Sequence, residues 1–183
     1  MKIHRTHIAG LLILEPRLFR DARGYFYESY HRGELEGLGI SQEFVQDNQS
    51  RSVKGVIRGL HFQRAPHTQT KLVRVTEGLI YDVAVDLRKG SAHFGQWYGV
   101  ELSNENHLQL LIPKGFAHGF SVLSEHATIQ YKCDAYYHPE SDAGILLSDP
   151  DLQIDWKVDP DQAIISDKDR GLPLLKEIVA LEP

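Results

Sequence analysis

Apolar and polar residues alternate with a period of two along most of the chain. From 79 to 88, Leu79, Tyr81, Val83, Val85 and Leu87 alternate with Ile80, Asp82, Ala84, Asp86 and Arg88. That is the pattern of a strand with one buried face. From 128 to 135, Ile129, Tyr131, Cys133 and Ala135 share a face in the same way. Shorter stretches at 11–16, 25–30, 56–63, 71–77, 96–102 and 108–112 read as further strands. Turn-forming clusters separate them: Asp21-Ala22-Arg23-Gly24, Arg88-Lys89-Gly90, Ser103-Asn104-Glu105-Asn106 and Lys114-Gly115. Many short strands with regular turns predict an all-β sandwich or barrel, of which the jelly roll is one form. A helical pattern is confined to 31–38 and, more weakly, to the acidic C-terminal tail. No repeat, low-complexity tract or linker divides the chain, so residues 1–183 are expected to form a single domain.

Composition narrows the class. A chain of 183 residues buries a sufficient core without disulfides or metals. Apolar residues at 42% and charged residues at 25% are ordinary for a globular protein. Lys and Arg number 20 against 25 Asp and Glu, a net charge of −5 with no basic block, which argues against a nucleic-acid polymer as partner. Cys133 stands alone, so no intramolecular disulfide is possible and a reducing compartment is expected. Met1-Lys2-Ile3-His4-Arg5 lacks the pattern of a signal peptide. No apolar run reaches the roughly 20 residues that span a bilayer. The expectation is a cytoplasmic protein without membrane association.

Ten histidines raise the question of a metal. Pro113-Lys114-Gly115-Phe116-Ala117-His118 fits the Pro-x-Gly-x-x-His segment of cupin metal sites, but His61-Phe62-Gln63 has one histidine where those sites carry a pair. Gln63 is a poor ligand, and zinc or iron needs three or four convergent ones, so no metal is expected. General acid–base chemistry suits the residues better. A histidine has its pKa near working pH, a lysine stabilises an enolate oxygen, and a tyrosine serves as acid on an opposite face. His61, Lys71 and Tyr131 supply one of each. On an ideal strand His61 shares its face with Gly59 and Gln63, while Arg58 points to the other side, so a bulge or strand end is needed if both touch one ligand. Each residue also has an ordinary reading: a strand histidine is often structural, and a tyrosine beside Ile129 and Cys133 is often core. Ser166-Asp167-Lys168-Asp169 reads as a helix N-cap or a turn, and a carboxylate there could also orient a histidine. Arg23, Arg58, Arg74 and Lys168 are candidates for holding a diphosphate.

These residues occur in an order that resembles the dTDP-4-dehydrorhamnose 3,5-epimerase family over nearly the whole chain. The resemblance is carried by Asp21-Ala22-Arg23-Gly24 with Glu28; Phe44-Val45-Gln46-Asp47-Asn48; Val56 to Gln63; Lys71-Leu72-Val73-Arg74; and Asp82 to Arg88. It continues through Phe94-Gly95-Gln96-Trp97, Ile112 to Phe120, Tyr131-Lys132, Tyr136-Tyr137, Ile154-Asp155-Trp156 and Ser166 to Asp169. It implies a cupin-type jelly roll with His61 as base, Asp169 as its dyad partner, Tyr131 as the acid on the opposite ring face and Lys71 beside the ketone oxygen. It also implies that Arg23, Glu28, Gln46, Asp47, Asn48, Arg58, Lys71, His118, Asp142 and Lys168 contact a dTDP-4-keto-6-deoxy sugar, with Tyr137 stacked on the thymine. Carbons 3 and 5 of such a sugar both flank the carbonyl at carbon 4, so one base and one enolate-stabilising group serve both inversions. The implied reaction uses no metal or redox cofactor, in keeping with the missing Gly-rich dinucleotide loop. The implied assembly is a homodimer with N-terminal strands exchanged. An epimerase of one centre, a ketoisomerase on the same scaffold, a non-catalytic sugar-nucleotide-binding cupin and a metal-dependent cupin remain the alternatives.

Overall fold

The computed structural model describes residues 1–182. Its strands are β1 (Lys2–Arg5), β2 (Leu12–Glu15), β3 (Phe19–Asp21), β4 (Gly24–Phe26), β5 (Gln46–Val53), β6 (Ile57–Gln63) and β7 (Lys71–Glu77). They continue with β8 (Leu79–Asp86), β9 (Trp97–Ser103), β10 (Gln109–Ile112), β11 (Phe116–Val122), β12 (His126–Cys133) and β13 (Asp142–Gly144). Helix is limited to α1 (Arg32–Gly37), α2 (Asp167–Arg170) and single 3-10 turns. The strands form two antiparallel sheets, ordered β1-β2-β10-β7-β12-β5 and β13-β6-β11-β8-β9, while β3 and β4 make a separate hairpin. The fold is the all-β one expected from the alternation, in the jelly-roll form that the resemblance implies.

Three apolar clusters explain the layering. Between the sheets, Val73, Val75, Leu110, Ile112 and Ile129 from one meet Ile80, Ala84, Leu102, Phe116 and Phe120 from the other. Outside the five-stranded sheet, Val83, Val85, Ala117 and Phe62 are covered by Ile145, Leu147, Leu152, Trp156 and Leu181 of the C-terminal segment. Outside the six-stranded sheet, Leu14, Leu72 and Leu111 are covered by Leu35 of α1 and by Ile40. Strand β8 is therefore buried on both faces from Asp82 to Asp86, where the alternation predicts one open face. The C-terminal segment closes the second face, and its packing is not encoded in the period of β8 itself.

Five strands escaped the hydrophobic pattern: the short β1, β3 and β13, and the longer β5 and β11 for opposite reasons. In β5 the inward positions are Gln46, Asn48, Ser50 and Ser52, so the period of two is present but written in polar residues. In β11 every residue is buried, so no alternation exists to be read. The predicted strand at 25–30 is shortened to Gly24–Phe26. The acidic tail forms only a 3-10 turn at Leu175–Glu177 and then a bridge from Leu181 to Arg88. The helix predicted at 31–38 is α1, with His31 as N-cap accepting from the Glu34 amide at 3.1 Å.

Candidate active site

The site begins with a bulge in β6. Across β11, His118 faces His61 and Phe120 faces Arg58, so three residues of β11 span four of β6. The extra residue lies at Gly59-Leu60 and reverses the alternation. Ile57, Leu60 and Phe62 then all point to the outer cluster, and Arg58 joins His61 on the inner face. The placement of His61 beside Gly59 and opposite Arg58, expected for an ideal strand, is thus overturned. Gly59 is required here. Its φ is +124°, and an added Cβ would lie 2.5 Å from Gly119 Cα.

His61 is gripped from behind. Its Nε2 lies 2.8 Å from Asp169 Oδ1, and Asp169 is only 3% exposed. The other carboxylate oxygen, Oδ2, accepts the Gly59 amide at 3.2 Å, so the bulge and the dyad share one anchor. Asp169 sits on the four-residue helix α2, whose N-cap Ser166 accepts the Asp169 amide at 3.1 Å. The N-cap and the histidine-orienting readings of this segment are both satisfied at once. With Nε2 donating to Asp169, Nδ1 keeps the free lone pair. Burial lowers the His61 pKa, opposed by the hydrogen bond and charge of Asp169.

A cavity of about 350 Å³ opens on His61 and is lined by Gln46, Asn48, Gln63, Gln69, Lys71, Tyr131, Tyr137, Asp142 and Lys168. A second cavity of about 460 Å³ adjoins it through His61 and Lys168 and brings in Arg58. Lys71 Nζ lies 5.9 Å from the centre of the Tyr131 ring. Burial pushes the Lys71 ammonium below its ordinary pKa, against the pull of Cys133, Asp82 and Asp142. Burial pushes the Tyr131 phenol above its ordinary value. Lys168 is hydrogen-bonded to Asp142, and that bond raises its pKa. Beneath this layer, His118 Nε2 lies 2.6 Å from Asp82 Oδ1, with both side chains buried. Among the described residues no three His, Cys, Asp or Glu side chains converge as metal ligands would.

Four candidates turn away from the cavity of the single chain. Arg23 and Glu28 are exposed on and just after the β3–β4 hairpin, with Arg23 Nη2 2.6 Å from Asp21 Oδ2. Asp47 turns to the outer face of its sheet and pairs with Lys132 at 2.9 Å. Arg74, considered for a diphosphate, also faces outward, where its Nη2 donates to Gln130 at 2.6 Å.

A model of the family dTDP-4-dehydrorhamnose 3,5-epimerase matches residues 5–177. The Escherichia coli protein named dTDP-4-dehydrorhamnose 3,5-epimerase is 54% identical over 183 residues, covering 100% of this chain and 98% of its own. The chain belongs to the dTDP-4-dehydrorhamnose 3,5-epimerase family. Among solved members, the Legionella pneumophila dTDP-6-deoxy-D-glucose-3,5-epimerase in complex with dTDP-4-keto-L-rhamnose superposes with a TM-score of 0.93. It is 54% identical, and the match covers 98% of this chain and 95% of that one. A 3′-monoepimerase from Streptomyces bikiniensis, solved with dTDP-quinovose, superposes at 0.87 with 29% identity, over 94% and 87% of the two chains. The epimerase fold thus extends over the whole of the described jelly roll.

Sequence reasoning passed over Asp82 and Gln69. Asp82 was detectable: it shares a strand face with Ile80 and Ala84, and an acid on a face that turns inward needs a partner. Gln69 lies in the loop between β6 and β7, and no pattern marks it.

Proposed function

We propose that this chain epimerises dTDP-4-dehydro-6-deoxy-D-glucose at carbons 3 and 5 to give dTDP-4-dehydro-L-rhamnose. One observation carries the reading: a histidine held by a buried aspartate opens on a cavity that also holds a lysine and a tyrosine. His61 Nδ1 removes the carbon-bound proton next to the ketone, and Asp169 stabilises the imidazolium that forms. Lys71, desolvated and cationic, lies toward the carbonyl and supports the negative charge that develops on its oxygen. Tyr131, kept protonated by its raised pKa, returns a proton to the opposite ring face. No hydride moves in this sequence. Arg58, His118, Gln46, Asn48, Asp142 and Lys168 bind the nucleotide-sugar, and the thymine stacks on Tyr137.

The acting form is a homodimer. Phe19, Tyr25 and Phe26 on the β3–β4 hairpin are 50%, 53% and 66% exposed, an apolar surface that suits burial against a second copy. Such a pairing also gives Arg23 and Glu28, remote from their own cavity, a cavity to serve. No helix is long and apolar enough to cross a membrane among the described residues. The working place proposed is the cytoplasm, in keeping with a single cysteine that has no disulfide partner.

The test is NMR of the reaction with dTDP-4-dehydro-6-deoxy-D-glucose in deuterated water, with a rhamnose-forming reductase and NADPH as trap. Deuterium at both carbons 3 and 5, together with dTDP-L-rhamnose, is the expected result. Label at carbon 3 alone moves the chain to the function borne by the name of its 3′-monoepimerase relative. No label above the enzyme-free control, with dTDP still bound, leaves a binding protein.

A further inference from the structure

Gln63 stands where a metal-binding cupin carries its second histidine, and its side chain has different work in this chain. It is buried, and its amide makes three hydrogen bonds. Oε1 accepts the His138 amide at 2.7 Å, while Nε2 donates to the His67 carbonyl at 3.1 Å and to the Tyr136 carbonyl at 3.4 Å. Two more glutamines hold the same segment. Gln46 Oε1 accepts the Tyr137 amide at 3.1 Å, and Gln69 Nε2 donates to the Ala135 carbonyl at 2.8 Å. The rings of His67 and His138 stack at 3.4 Å between centres and 14° between planes, closing the two loops on each other.

Residues 134–138 belong to no strand, so their amides and carbonyls have no sheet ladder to satisfy them. Backbone partners take the Asp134 amide (Thr70 carbonyl, 3.2 Å) and the His138 carbonyl (Ser141 amide, 3.0 Å), and side-chain amides from β5, from β6 and from the 64–70 loop hold the groups between them. Tyr137, at the centre of the segment, is half in solvent at 51% exposure, and its own ring contributes little to holding it. We propose that Gln63, supported by Gln69, is a positioning residue for nucleotide recognition. It clasps the backbone on both sides of Tyr137, so the ring stands ready at the cavity mouth before the base arrives. This rests on the reading of Tyr137 as the platform for the thymine.

An amide is suited to this task because it both donates and accepts, as the two sides of the segment require. A histidine at position 63 offers one donor and one acceptor at a different reach. Pre-ordering the ring removes an entropy cost from binding, so its loss appears in affinity more than in turnover.

Thymidine diphosphate binding by calorimetry to full-length Gln63→Ala, Gln69→Ala, Tyr137→Ala and the Gln63→Ala/Tyr137→Ala pair tests the clasp. Gln63→Ala is expected to weaken dTDP by about tenfold, the scale of one lost base-stacking contact. Gln69→Ala is expected to weaken it less. KM for the ketosugar rises in parallel, while kcat falls far less than kcat/KM. In the Tyr137→Ala background, Gln63→Ala should add almost nothing, because the ring it positions is gone. Undiminished dTDP affinity in both single glutamine variants, or full additivity with Tyr137→Ala, overturns the proposal. If Gln63→Ala fails to fold, Gln69→Ala and its cycle with Tyr137→Ala decide alone. A wild-type chain that does not bind dTDP sinks the thymine reading instead. Amide exchange then judges the clasp, and faster exchange at His138 in Gln63→Ala supports it while unchanged exchange ends it.

Discussion

Three titratable side chains in the cavity are displaced from their ordinary pKa values by burial; the shifts of His61 and Tyr131 favour their proposed roles, while that of Lys71 narrows the range in which its charge is held. The His61 pKa is lowered, so the imidazole is neutral and able to accept a proton below the usual histidine range. Activity should therefore rise with pH through a pKa beneath the ordinary one. The Lys71 pKa is also lowered, so its charge, needed at the enolate, is lost earlier in the alkaline range than for a free lysine. Tyr131 is shifted the other way and stays protonated across that range. A bell-shaped profile of kcat/KM follows, with both limbs moved toward lower pH. Lys71→Arg keeps a permanent charge and should move the alkaline limb upward in whatever activity survives. An alkaline limb that stays put would assign it to another group. His61→Ala should cut turnover by about 10² to 10⁴-fold, the range for losing a general base, while dTDP still binds. Retained turnover in deuterium exchange would remove His61 from the mechanism. These residue types were legible in the sequence. Their shifts were not, since burial depends on which strands cover them.

Strand β6 shows how an element converts a residue list into a site. The chain has Arg58 and His61 three positions apart, a spacing that an ideal strand sends to opposite faces. The bulge at Gly59-Leu60 puts both on the inner face. It depends on the absence of a side chain, because the inward path of Gly59 runs into the backbone of Gly119. Gly59→Ala is expected to destabilise the protein by about 1–3 kcal/mol, as overpacked positions do. It should also reduce activity beyond what the loss of folded protein explains, since the Gly59 amide is one of the bonds that fix Asp169. Thermal unfolding and the turnover of the folded fraction check the two effects separately. Unchanged turnover would mean that the dyad keeps its geometry without that amide. The sequence contained the cue, a glycine interrupting an otherwise regular strand pattern, but a glycine alone does not say which way a bulge turns its neighbours. The polar strand β5 and the fully buried β11 were hidden for a simpler reason: neither contrasts apolar with polar residues along its length.

At the scale of the whole molecule, the jelly roll assembles most of the candidate site from one chain and leaves a conspicuous remainder. His61, Lys71, Tyr131 and Asp169 come from β6, β7, β12 and α2 and meet at the cavity. Arg23 and Glu28 do not; they sit exposed at the β3–β4 hairpin, among aromatic rings that also face solvent. If a second copy covers that hairpin, each site is completed by its neighbour, and the arrangement has an arithmetic consequence. Arg23→Ala and His61→Ala should each be nearly inactive as pure proteins. In a randomly reassociated equal mixture, about half of the dimers carry one chain of each kind. In such a dimer one site receives both lesions and the other receives neither. The mixture should thus recover about a quarter of wild-type activity, from two proteins with almost none. Light scattering on the wild-type chain must first give the mass of a dimer. Recovery to that level would mean that Arg23 works across the interface. A mixture no more active than its components would place Arg23 and His61 in service of the same chain, and the exposed hairpin would have to fold back on its own cavity.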